Sequence, residues 1–252
     1  MIYAVIERSV PSAVVGALLL AAFWVIELRS PAPLAPVFIL RRHTVKWGNY
    51  AGFVVFAMET SMIFLMTLYL QKTLGFSALA TGLIFGVPGL ADVAAGVLAG
   101  RFIGRSGSRR LLTAGLAVQG LATLPLVFLG TDRTALAILV PALFIGFFGH
   151  VTSIVAYTVT ATSGLPNEEQ GLATGPASMT QQVAITVGIP ILTAVAATQS
   201  VELTGIRLAL TVNVVVTLLS VAFIWFGLRP RVGTATAPAW KEPEKDLATS
   251  SD

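Results

Sequence analysis

Residues 47–70, WGNYAGFVVFAMETSMIFLMTLYL, decide the fold: 24 residues with one ionic side chain, Glu59. At 1.5 Å per residue they make a helix of about 36 Å, enough to cross about 30 Å of bilayer hydrocarbon. Lipid offers no partner for backbone groups, so such a run must bond within itself, and a sheet is excluded. Working outward with the same ruler gives six more spans, at approximately 10–27, 78–101, 111–130, 134–163, 172–197 and 206–228. The run at 134–163 is long enough to tilt or to project beyond the bilayer. The reading is an all-α, polytopic membrane protein with about seven transmembrane helices.

Composition agrees. Of 252 residues, 55% are hydrophobic and 11% charged, where a soluble domain averages about 25% charged. Mean hydropathy is +0.83. Cysteine is absent, which removes disulfides, zinc ribbons and thiol catalysis. Two histidines, His43 and His150, argue against a His-based metal cluster. No metal and no cofactor is expected.

The charges lie between the spans. Arg29, Arg41, Arg42 and Lys46 precede the second span. Arg101, Arg105, Arg109 and Arg110 follow the third, and Arg229, Arg231, Lys241 and Lys245 follow the last. With seven alternating helices these twelve share one side, and Arg8, Lys72, Arg133 and Arg207 share the other. The positive-inside rule then places the amino terminus outside and the carboxyl terminus in the cytoplasm of a cell-membrane protein. Cations beside anionic lipid account for the net charge of +4 without nucleic acid as a partner. The apolar run 10–26 exceeds a signal-peptide core, so a retained helix is expected. Three regions result: 1–46 with the lead helix and a basic linker, 47–228 as a six-helix unit, and 229–252 as a disordered tail of Pro, Ala, Thr, Ser and charge.

Four stretches carry a resemblance: 31–49 (PAPLAPVFILRRHTVKWGN), 64–82 (FLMTLYLQKTLGFSALATG), 99–115 (AGRFIGRSGSRRLLTAG) and 170–183 (QGLATGPASMTQQV). In this order and spacing the chain resembles the second half of the fourteen-helix drug:proton antiporters of the major facilitator superfamily, from about residue 22 to 228. Gly100, Arg105, Gly107, Arg109 and Arg110 match the superfamily's basic loop, G-x-x-x-D-R-x-G-R-R/K, with Gly104 in place of the aspartate. The resemblance implies that this loop clips neighbouring helices on the cytoplasmic side. Physically, Gly104 and Gly107 permit a tight turn, and the arginines can bond helix-end carbonyls and lipid phosphates. The resemblance also implies that the first six-helix half is missing on the amino-terminal side, that helix 10–27 is the second of a central pair, and that 47–228 forms one half-bundle. It implies proton-coupled efflux of small, often cationic or amphipathic compounds. The implied partners are the lipid bilayer, a small-molecule substrate, the proton, and an N-terminal half or second copy.

Two carboxyl groups lie deep in the spans, Glu59 at the centre of 47–70 and Asp92 near the centre of 78–101. An acid at that depth costs about 2.5–3.5 kcal/mol on the lenient insertion scale, so each is a proton-coupling or substrate candidate. Asp92 shares its face with Pro88, Gly89, Ala95, Gly96 and Ala99, small residues that leave room for a cavity or another helix. Glu59 has Val55, Phe56, Met62 and Ile63 around it, a bulkier and more lipid-tolerant face. His150 falls on a stripe with Gly146, Ser153, Tyr157, Thr160 and Gly164, one face of a helix directed into the bundle. Ser178, Gln181 and Gln182 with Thr186, and Asn213 with Thr217 and Ser220, form further polar stripes. Ser153, Tyr157, Ser178, Gln181, Gln182 and Asn213 are pore-lining candidates; each could instead hold helices together.

Other classes fare worse. A retinal pump needs a lysine in its last helix, and all four lysines lie outside the spans. An intramembrane protease needs a nucleophile motif, and no G-x-S-G serves His150; no enzyme is expected. A receptor, a non-transport membrane subunit and a nonfunctional truncated carrier remain the alternatives to a transporter.

Overall fold

The computed structural model describes residues 42–163 and 167–229, with the backbone alone at 167–170 and 172. Helix 10–27, most of the basic linker, Gly164 and the tail from 230 lie outside the described residues. Six helices long and apolar enough to span a membrane follow one another. Helix α1 (His43–Leu68) runs into a π turn at Tyr69–Thr73. Helix α2 is Ala78–Ser106, and α3 is Ser108–Thr123 with a 3-10 extension at Leu124–Phe128. A 3-10 turn at Arg133–Ala135 leads into α4 (Leu136–Thr162); α5 (Asn167–Ala196) and α6 (Glu202–Gly227) complete the bundle. Among the described residues every element is helical.

The ends differ from the sequence reading for identifiable reasons. Helix α1 starts before residue 47 because its first turn is tied down: Thr44 Oγ1 donates to Ser163 O at 3.0 Å and His43 Nε2 donates to Gly227 O at 2.5 Å. The arginine segment 101–110 is not a loop. Helix α2 continues through Arg105, and the chain breaks only at Gly107, whose φ of +76° suits a residue without Cβ. Gly104 stays helical and makes no turn. Lys46 and Lys72 also lie within the first and last turns of the first span, whereas α6 contains no lysine.

Cross-links at both ends fix the alternation. At one end, beside the carbonyl acceptors of His43 and Thr44, Arg109 donates to Trp225 O at 2.6 Å. At the other, Tyr69 donates to Gly130 O at 2.6 Å, Arg207 to Leu129 O at 2.7 Å, and Lys72 approaches Glu202 at 3.7 Å. Arg42, Lys46, Arg101, Arg105, Arg109, Arg110 and Arg229 therefore share the first, basic end.

Helix α1 is the centre of the bundle and packs on α4, α5 and α6. Helices α3 and α4 cross closely; α2 leans chiefly on α4, and α5 chiefly on α1. The apolar interior is in two pieces. One, around Ala51, Val55, Leu112, Leu116, Tyr157 and Ile224, lies toward the basic end. The other, around Leu65, Met66, Tyr69, Leu139, Leu143 and Leu210, lies toward the opposite end.

Candidate functional site

Polar side chains occupy the level between these two apolar clusters. On α1, Met58 belongs to the first cluster and Met62 to the second, with Glu59 between them. The same break falls at Gln119 on α3, between Leu116 and Leu126, and at Asn213 on α6, between Leu210 and Ile224. On α4 it falls at His150, between Leu143 and Ala156. Three helices, α3, α4 and α6, thus direct a polar group toward the middle of α1 beside Glu59, and α2 adds Asp92 at the edge.

The contacts converge on one turn of α1. Gln119 Nε2 donates to Val55 O at 3.4 Å and Asn213 Nδ2 to Met58 O at 2.7 Å. His150 stands edge-on to Phe56, ring centroids 5.8 Å apart. Glu59 is 1% exposed, and its carboxyl lies within electrostatic range of that of Asp92. Asp92 itself is partly exposed, next to the buried stripe Pro88, Ala91, Ala95 and Ala99. The lipid-tolerant face read for Glu59 is therefore wrong. Its bulky neighbours are core residues, because α1 is surrounded by other helices.

Several polar atoms in this layer lack hydrogen-bond partners among the described residues. Six shielded side-chain polar atoms among the described residues make no hydrogen bond, and five are here: both Glu59 oxygens, Asp92 Oδ1, Gln119 Oε1 and His150 Nδ1. Folded proteins leave few buried polar atoms unbonded, and in hydrocarbon each unbonded group is still more costly. Here they are concentrated at mid-span, the depth at which an ionisable group is most costly. Two carboxyl groups, an imidazole and an amide can hold and pass a proton, or accept a cation.

The remaining candidates are distributed differently. Ser153 bonds back to Gly149 O, Tyr157 donates to Ala177 O at 2.9 Å, and Asn213 holds Met58 O; all three are sealed between helices rather than lining an open path. Gly146, Thr160 and His150 share the inward face of α4 with Ser153 and Tyr157. Ser178, Gln182 and Thr186 are exposed on the outer face of α5, and Gln181 is partly exposed. They are not brought to the Glu59 layer. Gly100, Arg105 and Arg110 of the basic motif are exposed, Gly107 makes the turn, and Arg109 both bonds Trp225 O and stacks over its ring, 4.1 Å from the centroid. Gln119 went unread as a candidate. Its signal was a lone amide near the centre of 111–130, without a polar stripe to draw attention to it.

The sequence profile of the major facilitator superfamily matches residues 7–189, and the chain belongs to that superfamily, a multi-pass class of membrane carrier. Its relatives include the puromycin resistance protein pur8 of Streptomyces alboniger, 30% identical over 187 residues, 72% of this chain and 37% of the relative. The cephamycin export protein CmcT of Amycolatopsis lactamdurans is 32% identical over 180 residues, 70% of this chain and 37% of the relative. The multidrug resistance protein Stp of Mycobacterium tuberculosis is 29% identical over 178 residues, 70% and 33% of the two chains. The matched part of the chain spans about a third of the length of these relatives.

Proposed function

We propose that residues 47–228 act as one half of a proton-coupled exporter of small, often cationic or amphipathic compounds. The chain is a carrier rather than an enzyme, set in the cell membrane with the basic end in the cytoplasm. The observation that carries this reading is the Glu59–Asp92–His150–Gln119 layer, whose Glu59 oxygens, Asp92 Oδ1, His150 Nδ1 and Gln119 Oε1 make no hydrogen bond among the described residues, between two apolar clusters of a major facilitator fold. The relatives' names, which refer to puromycin, cephamycin and multidrug resistance, support a small organic cargo.

The acids have different duties in this reading. Glu59, enclosed by α1's neighbours, exchanges a proton when the bundle shifts. Asp92, at the margin of the packed stripe, meets the cationic cargo. The polar outer face of α5 meets a partner, either an N-terminal half or a second copy, because halves of this superfamily are parallel repeats with the binding site between them near the midplane. The test is proton-gradient-driven efflux from vesicles holding this chain with a first-half fragment. Asp92→Asn and Glu59→Gln should each abolish it at unchanged protein level, and wild-type efflux in both variants would overturn the proposal.

A further inference from the structure

On the outer surface between α3 and α6 an open groove of about 580 Å³ runs inward from the basic end. Its walls are Ala114, Leu218, Val221 and Ala222 with Thr113, whose hydroxyl is turned back to Arg109 O. Arg110, Trp225 and Phe226 also line it, and by their places at the helix ends they form its mouth. From Phe226 to Leu218 the groove follows α6 for eight residues, about 12 Å. That is close to the roughly 15 Å of hydrocarbon in one leaflet. It stops where the seam closes: a Cβ on Gly120 would meet Leu218 and Thr217 at 3.0 Å. A partner transmembrane helix would need a seam open along the full span. This one is open over a single leaflet.

Among the described residues the mouth has one sign of charge. Arg110 is exposed, and among the described residues no hydrogen bond holds its guanidinium. Arg229 stands over Phe226, 4.5 Å from the ring centroid, and Arg109 over Trp225. The first turn of α3 holds no acid, and α6 has none between Arg207 and Arg229. Aromatic rings with guanidinium groups at headgroup depth, above an apolar slot one leaflet deep, match an amphiphile with an anionic head.

We propose that this groove binds one acyl chain of an anionic phospholipid, with its phosphate held by Arg110 and Arg229. The site stands apart from the mid-span polar layer, and nothing in it depends on the transport reading. The test uses the full chain purified in detergent and titrated with phosphatidylglycerol or phosphatidylcholine, read by native mass spectrometry and by thermal unfolding. Phosphatidylglycerol should bind and raise Tm well beyond phosphatidylcholine. Arg110→Gln should weaken that binding about fivefold, as removal of one interfacial cation predicts. Ala222→Phe keeps every charge but fills the slot, and should weaken it at least as much. Ala114→Leu serves if that variant does not fold. Equal response to both lipids, phosphatidylglycerol binding unchanged in both classes of variant, or the full response from glycerol phosphate alone would each overturn the proposal.

Discussion

Gly115 of α3 and Gly149 of α4 meet backbone to backbone. A Cβ on Gly149 would lie 2.6 Å from Gly115 O and 2.7 Å from Gln119 N, and one on Gly115 would lie 2.8 Å from Gly149 O. Small residues at a crossing let transmembrane helices gain van der Waals contact that the hydrophobic effect does not provide in lipid. This crossing also holds Gln119 and His150 at the same level. Gly149→Ala should therefore cost about 1–3 kcal/mol, as overpacking typically does. Gly100→Ala, with nothing within 4 Å of its Cβ position, should be neutral or slightly stabilising. Thermal unfolding in detergent checks both, and equal Tm values for the two variants would contradict the close crossing.

Arg109 links α3 to the end of α6 through a 2.6 Å bond to Trp225 O and a cation–π contact with the Trp225 ring. Arg109→Ala removes both and should cost about 1–2 kcal/mol. Arg109→Lys keeps the charge but loses the planar stacking and the fork, so it should recover only part of that loss. Trp225→Ala combined with Arg109→Ala should cost less than the sum of the single changes, because the two side chains share one interaction. Strict additivity in that cycle would mean the ring and the guanidinium act separately.

The six spans within the described residues, and their order, were legible because each is an uninterrupted apolar run that lipid permits only as helix. The ends were less so. Helix α1 begins at His43 because carbonyls of α4 and α6 receive its first side chains, partners distant in sequence. Gly104 and Gly107 were equivalent on paper, and the structure turns only at Gly107. The acids were found because charge in a span is conspicuous, but Glu59 was assigned to the wrong kind of surface. Its own helix cannot report that four other helices enclose it. Ser153, Tyr157 and Asn213 belonged to real polar faces, yet a face that bonds a neighbouring carbonyl is indistinguishable in sequence from one that lines water.

The two mid-span acids should separate in mutational tests of the chain paired with a first half. Asp92→Asn keeps shape and removes charge at a partly exposed position, so cargo binding should weaken and efflux should be lost while insertion is unchanged. Glu59→Gln replaces a carboxyl enclosed in the bundle, so efflux should lose its dependence on the proton gradient while cargo binding persists. Cargo-binding and gradient-dependence assays on each variant decide the assignment. Identical defects in both assays would mean the two carboxyl groups act as one unit.

The absence of cysteine makes topology directly measurable, because a single introduced thiol has no background. Arg105 and Arg229 lie at the end that holds Arg109 and Trp225, and Lys72 and Asp132 at the opposite one. In intact cells, Lys72→Cys and Asp132→Cys should react with a membrane-impermeant maleimide. Arg105→Cys and Arg229→Cys should react only after the cytoplasmic face is opened. The reverse pattern would invert the orientation and leave the bundle intact, whereas labelling of Arg105 and Arg229 from opposite faces would contradict the bundle itself.

The last prediction concerns what this chain does alone. Helices α2 and α5 are flanking helices whose outer faces have no partner among the described residues. On α5 that face presents Ser178, Gln182 and Thr186, and on α2 Asp92 sits at its margin. Polar groups turned toward lipid are costly, so the bundle gains by covering α5. The superfamily's architecture does so with a second parallel repeat, which also supplies the other wall of a midplane site. Without it, a cargo near Asp92 would meet hydrocarbon on one side and could not be exposed to alternate faces. Expressed alone, residues 1–252 should therefore give little drug efflux, with a clear gain on co-expression with a first-half fragment from a similar exporter. Gln182→Leu should stabilise the lone chain in lipid and reduce the gain from the added half. Robust proton-dependent efflux by a demonstrated monomer of this chain would refute the argument and place the complete site within these six helices.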